Sequence, residues 1–92
     1  MNIIHDAENS VFCTTINGYH AEVKYKREGN RCYFYHTFVP EEIGGMGVAK
    51  ALVTYAVNFC IERNYELVAI CPYIVKLIRR NEEWKKLVEV WD

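Results

Sequence analysis

No run in this sequence approaches the roughly 18 consecutive apolar residues that a membrane-spanning helix needs. Nor is there an excess of either charge. Eleven basic residues stand against twelve acidic ones, a net charge of −1, so bulk electrostatics offer no attraction to nucleic acid or to an anionic membrane. Internal repeats, low-complexity stretches and linkers are likewise missing. The four cysteines, Cys13, Cys32, Cys60 and Cys71, include no CxxC pair, which excludes a zinc knuckle or dithiol centre and leaves no metal site to expect. The opening residues Met1 to Asp6 contain no basic segment leading into an apolar run, the mark of a secretory signal. The expectation is therefore a cytoplasmic protein whose cysteines are free thiols.

What is present is an ordinary globular composition, 51% apolar and 25% charged. Ninety-two residues suffice for one core, so residues 1–92 are expected to form a single domain. Val11 to Ile16 is β-prone and ends at Asn17-Gly18, a strong hairpin signal. Beyond it Tyr19, Ala21, Val23 and Tyr25 alternate with polar residues, the pattern of a strand with one wet face. Glu28-Gly29-Asn30 reads as the next turn. Arg31 to Val39 carries aromatics on both parities, Tyr33 and Tyr35 against Phe34 and Phe38, and reads as a central strand buried on both faces. Pro40 ends it.

From Val48 the period becomes helical, with Val48, Leu52, Val53, Ala56, Val57, Cys60 and Ile61 on one stripe and Asn64 as the stop. Glu66 to Cys71 predicts a short strand. Pro72 suits the first position of a helix carrying Ile74, Val75, Leu77 and Ile78. Asn81 is placed to start a last helical turn that sets Trp84, Leu87 and Val88 against the core. The order strand, strand, strand, helix, strand, helix, helix predicts a mixed α/β sheet, with the strands around the long helix parallel.

Three of the five glycines fall within Gly44-Gly45-Met46-Gly47-Val48-Ala49-Lys50, between the central strand and the long helix. One glycine would serve a tight connection; three weigh towards a ligand that approaches the backbone closely. The helix start behind them offers free amides and a positive dipole end, a site for phosphate. The P-loop pattern fails because Ala49 and Ala51 flank Lys50 where glycine and a hydroxyl residue are required. The dinucleotide pattern GxGxxG fails at Lys50 too.

Strand, G-x-x-G-x-A and helix together resemble the pyrophosphate-binding motif of the GNAT acetyltransferases, usually [QR]-x-x-G-x-[GA]. Gly47 and Ala49 match its last positions, while Gly44 stands where arginine or glutamine is usual. His36-Thr37 leading to Val39-Pro40, the glycine turn and Cys71-Pro72-Tyr73 are similar to a branch of short chains with a reduced GNAT core. The resemblance implies a GNAT-like acyl-CoA N-acyltransferase fold with antiparallel N-terminal strands and a splayed parallel pair. It also implies acetyl-CoA (or CoA) as co-substrate and an amine as acceptor, an exposed lysine or a chain terminus. Pantetheine would run along Phe38 and Val39, and pyrophosphate would rest on the amides of Gly44, Gly45, Met46, Gly47, Val48 and Ala49. Lys50 either adds charge or is solvated surface, as do Lys76, Arg79 and Arg80 near the ribose phosphate.

Such transfer needs a neutral amine, a polarised carbonyl and a proton for the leaving thiolate. Cys71, before Pro72 at a helix start, would see the dipole that favours a thiolate. It reads as a nucleophile, as a wall of the pocket or as a small buried residue. Tyr73 reads as the acid for the thiolate or as packing. His36 shares the parity of Phe34 and Phe38 and reads as a general base or as a hydrogen-bonded core histidine. Cys13, Cys32 and Cys60 read as core. A non-catalytic acyl-CoA-binding or interaction module explains the glycine turn as well, and a plain α/β domain without ligand is the third reading.

Overall fold

The computed structural model describes residues 1–90, and within them a six-stranded sheet in the order of the sequence. Strands β1 (Ile4–Asp6), β2 (Val11–Ile16), β3 (Tyr19–Glu28) and β4 (Arg31–Phe38) form an antiparallel meander. Helix α1 (Val48–Arg63) carries the chain across to β5 (Glu66–Ala69), which pairs with β4 in parallel. Helices α2 (Pro72–Arg79) and α3 (Glu82–Leu87) then lead to β6 (Glu89–Val90), parallel to β5. The expected α/β architecture holds. The short strands β1 and β6 were not foreseen: three and two residues are too few for a period to register.

Local chemistry sets the boundaries. Asn17 and Gly18 both take positive φ, 52° and 82°, the twist a two-residue hairpin between right-twisted strands requires. Asn64 closes α1 in the left-handed conformation. Pro72 begins α2 with Cys71 at its N-cap. Asn81 caps α3 by accepting from the amides of Glu83 and Trp84.

The core lies between α1, α2 and one face of the sheet. Phe12, Val23, Tyr25, Cys32 and Phe34 point inward to Leu52, Val53, Ala56 and Cys60 of α1 and to Ile74 and Ile78 of α2. Cys32 and Cys60 are core as expected, whereas Cys13 is half-buried on the opposite face, because Phe12 and Thr14 take the inward positions of β2. Ile61 is 50% exposed, since Cys60 takes the buried position in the last turn of α1, and Leu87 is exposed while Trp84 and Val88 pack inward.

One irregularity decides where the site residues point. Tyr25 pairs with Phe34, but Lys24 pairs with His36, so Tyr35 is an extra residue in β4. Such a bulge reverses the alternation beyond it. Phe34 faces the core, but His36 and Phe38 face away from it, and Thr37, opposite buried Val23, turns inward. The strand expected to be buried on both faces is therefore not: Tyr35 and Phe38 are 51% and 52% exposed. His36 does not share the side of Phe34, contrary to its parity in the sequence.

Candidate functional site

β4 and β5 run side by side only from Arg31/Glu66 to Phe34/Ala69. The carbonyl of Phe34 then accepts from both Ile70 and Cys71, and the strands part. β4 continues through Tyr35, His36, Thr37 and Phe38 with no strand partner on that side among the described residues. Peptide groups left free on a strand edge are ready to pair with an extended, amide-bearing chain. The gap opens into a cleft of about 580 Å³ lined by Thr37, Phe38, Val39, Ile43, Gly44, Gly45, Gly47, Val48, Ala49, Lys50 and Tyr73.

The far wall of this cleft is the glycine turn. A single 3₁₀ turn, Glu41–Ile43, buries Ile43, and Val48 and Ala49 are buried at the start of α1. These apolar anchors hold the arch between them. Gly45 and Gly47 have φ of 80° and 74°, a region unfavourable to any residue with a Cβ. A Cβ added at either would meet nothing within 4 Å, whereas one on Gly44 would meet the Glu41 carbonyl oxygen at 3.2 Å. Gly44 donates to that carbonyl, so it shapes the turn. The first helical bond runs from Ala51 to the Gly47 carbonyl. Gly47, as N-cap, has no side chain to satisfy the amides of the first turn, and that turn holds no acid. An unsatisfied positive helix end opening on a cleft is suited to an anion of phosphate type.

The expected residues separate into four groups. Phe38, Val39, Gly44, Gly45, Gly47, Val48, Ala49 and Lys50 all line the cleft. Met46 stands exposed at the tip of the arch. Tyr73 also lines the cleft and is half exposed. Cys71 is half-buried where the strands part; its thiol donates to the Thr37 hydroxyl at 3.5 Å, and it offers no side-chain cap to α2. His36 lies across the sheet from Cys71 and Thr37, its Nε2 3.2 Å from Oε2 of Glu22. Thr37 lies in the His36-Thr37 to Val39-Pro40 stretch that the resemblance singled out, whereas Ile43 and Glu22 were missed. Ile43 had a usable signal, an apolar residue stranded before the glycines; Glu22 had none, because the bulge sets it beside His36.

Of the other thiols, Cys32 is held down by its hydrogen bond with Cys60 but is buried in the core. Burial pushes the Cys13 thiol up. Cys60 is pushed up by its hydrogen bond with Cys32 and by burial. A second hollow, of about 720 Å³, adjoins the bulge and is lined in part by Lys26, Tyr33, Tyr35 and Ile70. Among the described residues no group of three or more His, Cys, Asp or Glu could hold a metal ion. No helix among them is long and apolar enough to cross a membrane.

Residues 11–87 match the family described as GCN5-related N-acetyl-transferase. Protein NATD1 of mouse is 32% identical over 84 residues, spanning 88% of this chain and 76% of its own length. Human NATD1 is also 32% identical, over 74% of its length. A Staphylococcus aureus protein described as GCN5-like, solved in solution by NMR, superposes with a TM-score of 0.77 at 23% identity, covering 99% of this chain and 90% of its own. At that identity the structural likeness bears on the fold alone.

Proposed function

The chain belongs to the GCN5-related N-acetyltransferases, and from that premise we propose that it binds acetyl-CoA in the cleft between β4 and β5 and transfers the acetyl group to an amine. Residues 1–92 act as one acetyl-CoA-binding unit in a reducing cytoplasm, where its four cysteines persist as thiols. One observation carries this reading. An unpaired strand edge, long enough for an amide-bearing arm, ends at an uncapped helix start framed by glycines. Pantetheine has the amides for the first and pyrophosphate the charge for the second.

In this pose the arm follows Phe38 and Val39, and the pyrophosphate sits on the amides from Gly45 to Lys50. Gly44 supports the turn and Met46 covers its tip. The thioester lies where β4 and β5 part, next to Cys71 and Tyr73. Tyr73, half exposed in the cleft, carries a hydroxyl that supplies a proton to the departing CoA thiolate.

A second route is favoured by the position of the Cys71 thiol at the parting of the strands, against the Thr37 hydroxyl. There Cys71 sulfur attacks the thioester carbonyl, the C–S bond to CoA breaks, and the thiol proton passes to the CoA sulfur. The amine then attacks acetyl-Cys71, and the thiol is restored.

The test is titration of the protein with CoA and acetyl-CoA by calorimetry, followed by mass spectrometry of lysine peptides after incubation with acetyl-CoA. Binding of both ligands and acetylated peptide are expected. Acetyl retained on Cys71 in a peptide map selects the relay, and loss of transfer in Cys71→Ala with CoA affinity kept supports it. Binding without transfer would identify a non-catalytic acyl-CoA-binding module, and no binding would remove the proposal.

A further inference from the structure

On the sheet face away from the core, one carboxylate gathers three basic side chains. Glu22 Oε2 lies 3.2 Å from His36 Nε2 and 3.5 Å from Lys24 Nζ. Its Oε1 lies 3.3 Å from His20 Nε2. Glu22 is cross-strand from Phe38, and Lys24 from His36. The Glu22–His36 contact is therefore a diagonal across β3 and β4, within reach of long side chains. The Glu22 side chain is only 20% exposed while that of His36 is 42% exposed, so the carboxylate is held beneath a ring that solvent and a substrate can reach.

We propose that Glu22 positions His36 to accept the proton of the acceptor ammonium, which approaches the thioester from this face of the sheet. The proposal rests on the acetyltransferase reading above. His36 lies in the stretch of β4 that has left β5, one residue from Thr37 in the wall of the cleft. With Nε2 3.2 Å from the carboxylate, the tautomer that carries its proton there keeps the Nδ1 lone pair as the proton acceptor. Phe38, half exposed and on the same face, offers an apolar ring to the methylene stem of a lysine. The acceptor class is therefore a primary ammonium on a flexible aliphatic stem.

The step balances. His36 takes one proton from the ammonium, and the freed nitrogen lone pair forms the C–N bond. The C–S bond breaks with its electron pair leaving on sulfur. Tyr73 gives that sulfur its proton, yielding CoA thiol, and is reprotonated by the second nitrogen proton as the amide forms; His36 returns its proton to water. Lys24 and His20 hold the carboxylate from its other sides and are not among the residues that line the cleft.

Three proteins test this: the parent, Glu22→Gln and His36→Gln. Transfer from acetyl-CoA to a lysine peptide is measured with acetyl-CoA binding, and the His36 tautomer is read by ¹⁵N NMR. The parent is expected to show the Nε2–H tautomer at His36. Glu22→Gln should lose that preference and lower kcat by about 100-fold, the lower end for general-base assistance, with acetyl-CoA affinity unchanged. His36→Gln should lower kcat as much, and the double variant no further, because the pair acts as a unit. A parent that transfers acetyl while Glu22→Gln keeps its kcat overturns the dyad alone. So does a mixed His36 tautomer in the parent, a measurement that needs no variant to fold. A parent that binds CoA but acetylates no amine overturns the dyad together with the transferase reading.

Discussion

Helices α1 and α3 begin in opposite ways. Asn81 closes α3 by accepting from two amides, and Glu82 and Glu83 place negative charge in its first turn. Gly47 opens α1 with no side-chain cap and no acid nearby. Each helix has the same need, four amides without intrahelical partners. α3 satisfies it from its own residues, whereas no side chain caps α1. α1 tolerates this because its stability comes from burial: Val48, Leu52, Val53, Ala56, Val57 and Cys60 are all within the core. α3, six residues long with none fully buried, has no such reserve and needs its cap.

The largest effect that would sharpen this contrast is expected at Gly47. Valine there must hold a φ of 74°, roughly 1–2 kcal/mol of strain, and sets a branched side chain at the mouth of the amide nest. Losing one charge-assisted hydrogen bond from phosphate costs roughly 1.5–3 kcal/mol, so CoA affinity in Gly47→Val should fall by about 10- to 100-fold. Calorimetry measures it, and circular dichroism confirms the fold. Undiminished affinity in a folded variant would break the comparison from the α1 side.

Asn81→Ala is the mirror experiment. Removing a cap of this kind costs about 1 kcal/mol, or about 4–8 °C in Tm for a chain of this size, while CoA affinity should stay at the parent value. If it weakens CoA binding instead, the two helix starts are not independent.

Alkylation compares the third helix start. Cys71, half-buried at the N-cap of α2, should react with iodoacetamide ahead of buried Cys32 and Cys60 and ahead of Cys13, whose thiol is pushed up. CoA should protect it, and peptide mapping over time reads both outcomes.

The smallest expected effect belongs to a region that contains none of these helix starts. His5 stacks on Phe12 at 4.2 Å and meets the Tyr25 hydroxyl at 2.6 Å. Burial, and secondly the charge of Arg63, hold its pKa below the ordinary 6.5. The unfolded chain therefore binds this proton more readily than the folded one. The stability contribution is whole above the unfolded value and is lost as pH falls through it towards the lower folded value. Thermal unfolding between about pH 7 and pH 5 should show this decline, and His5→Phe should flatten it.

Much of this was legible because it depends on near neighbours in sequence. Asn17-Gly18, the alternation in β3, the α1 stripe, Pro72 and the Asn81 cap each act over a few residues, so type and order of the main elements could be read directly. The glycine turn was legible for the same reason: positive φ at Gly45 and Gly47 and an uncapped helix start are local needs with a local signature. β1 and β6 were not legible, being held by pairing with β2 and β5 and not by any pattern of their own.

The sequence by itself determined the α/β order and the glycine arch at the start of α1, since both are written in residues that touch along the chain. Only the tertiary structure decided which face His36 presents. One extra residue at Tyr35 in the β3–β4 ladder shifts everything after it to the other side, and a ladder register exists only between two strands. That shift brings Thr37 to Cys71 across 34 positions and His36 to Glu22 on the opposite face, juxtapositions that arise only when the strands pair.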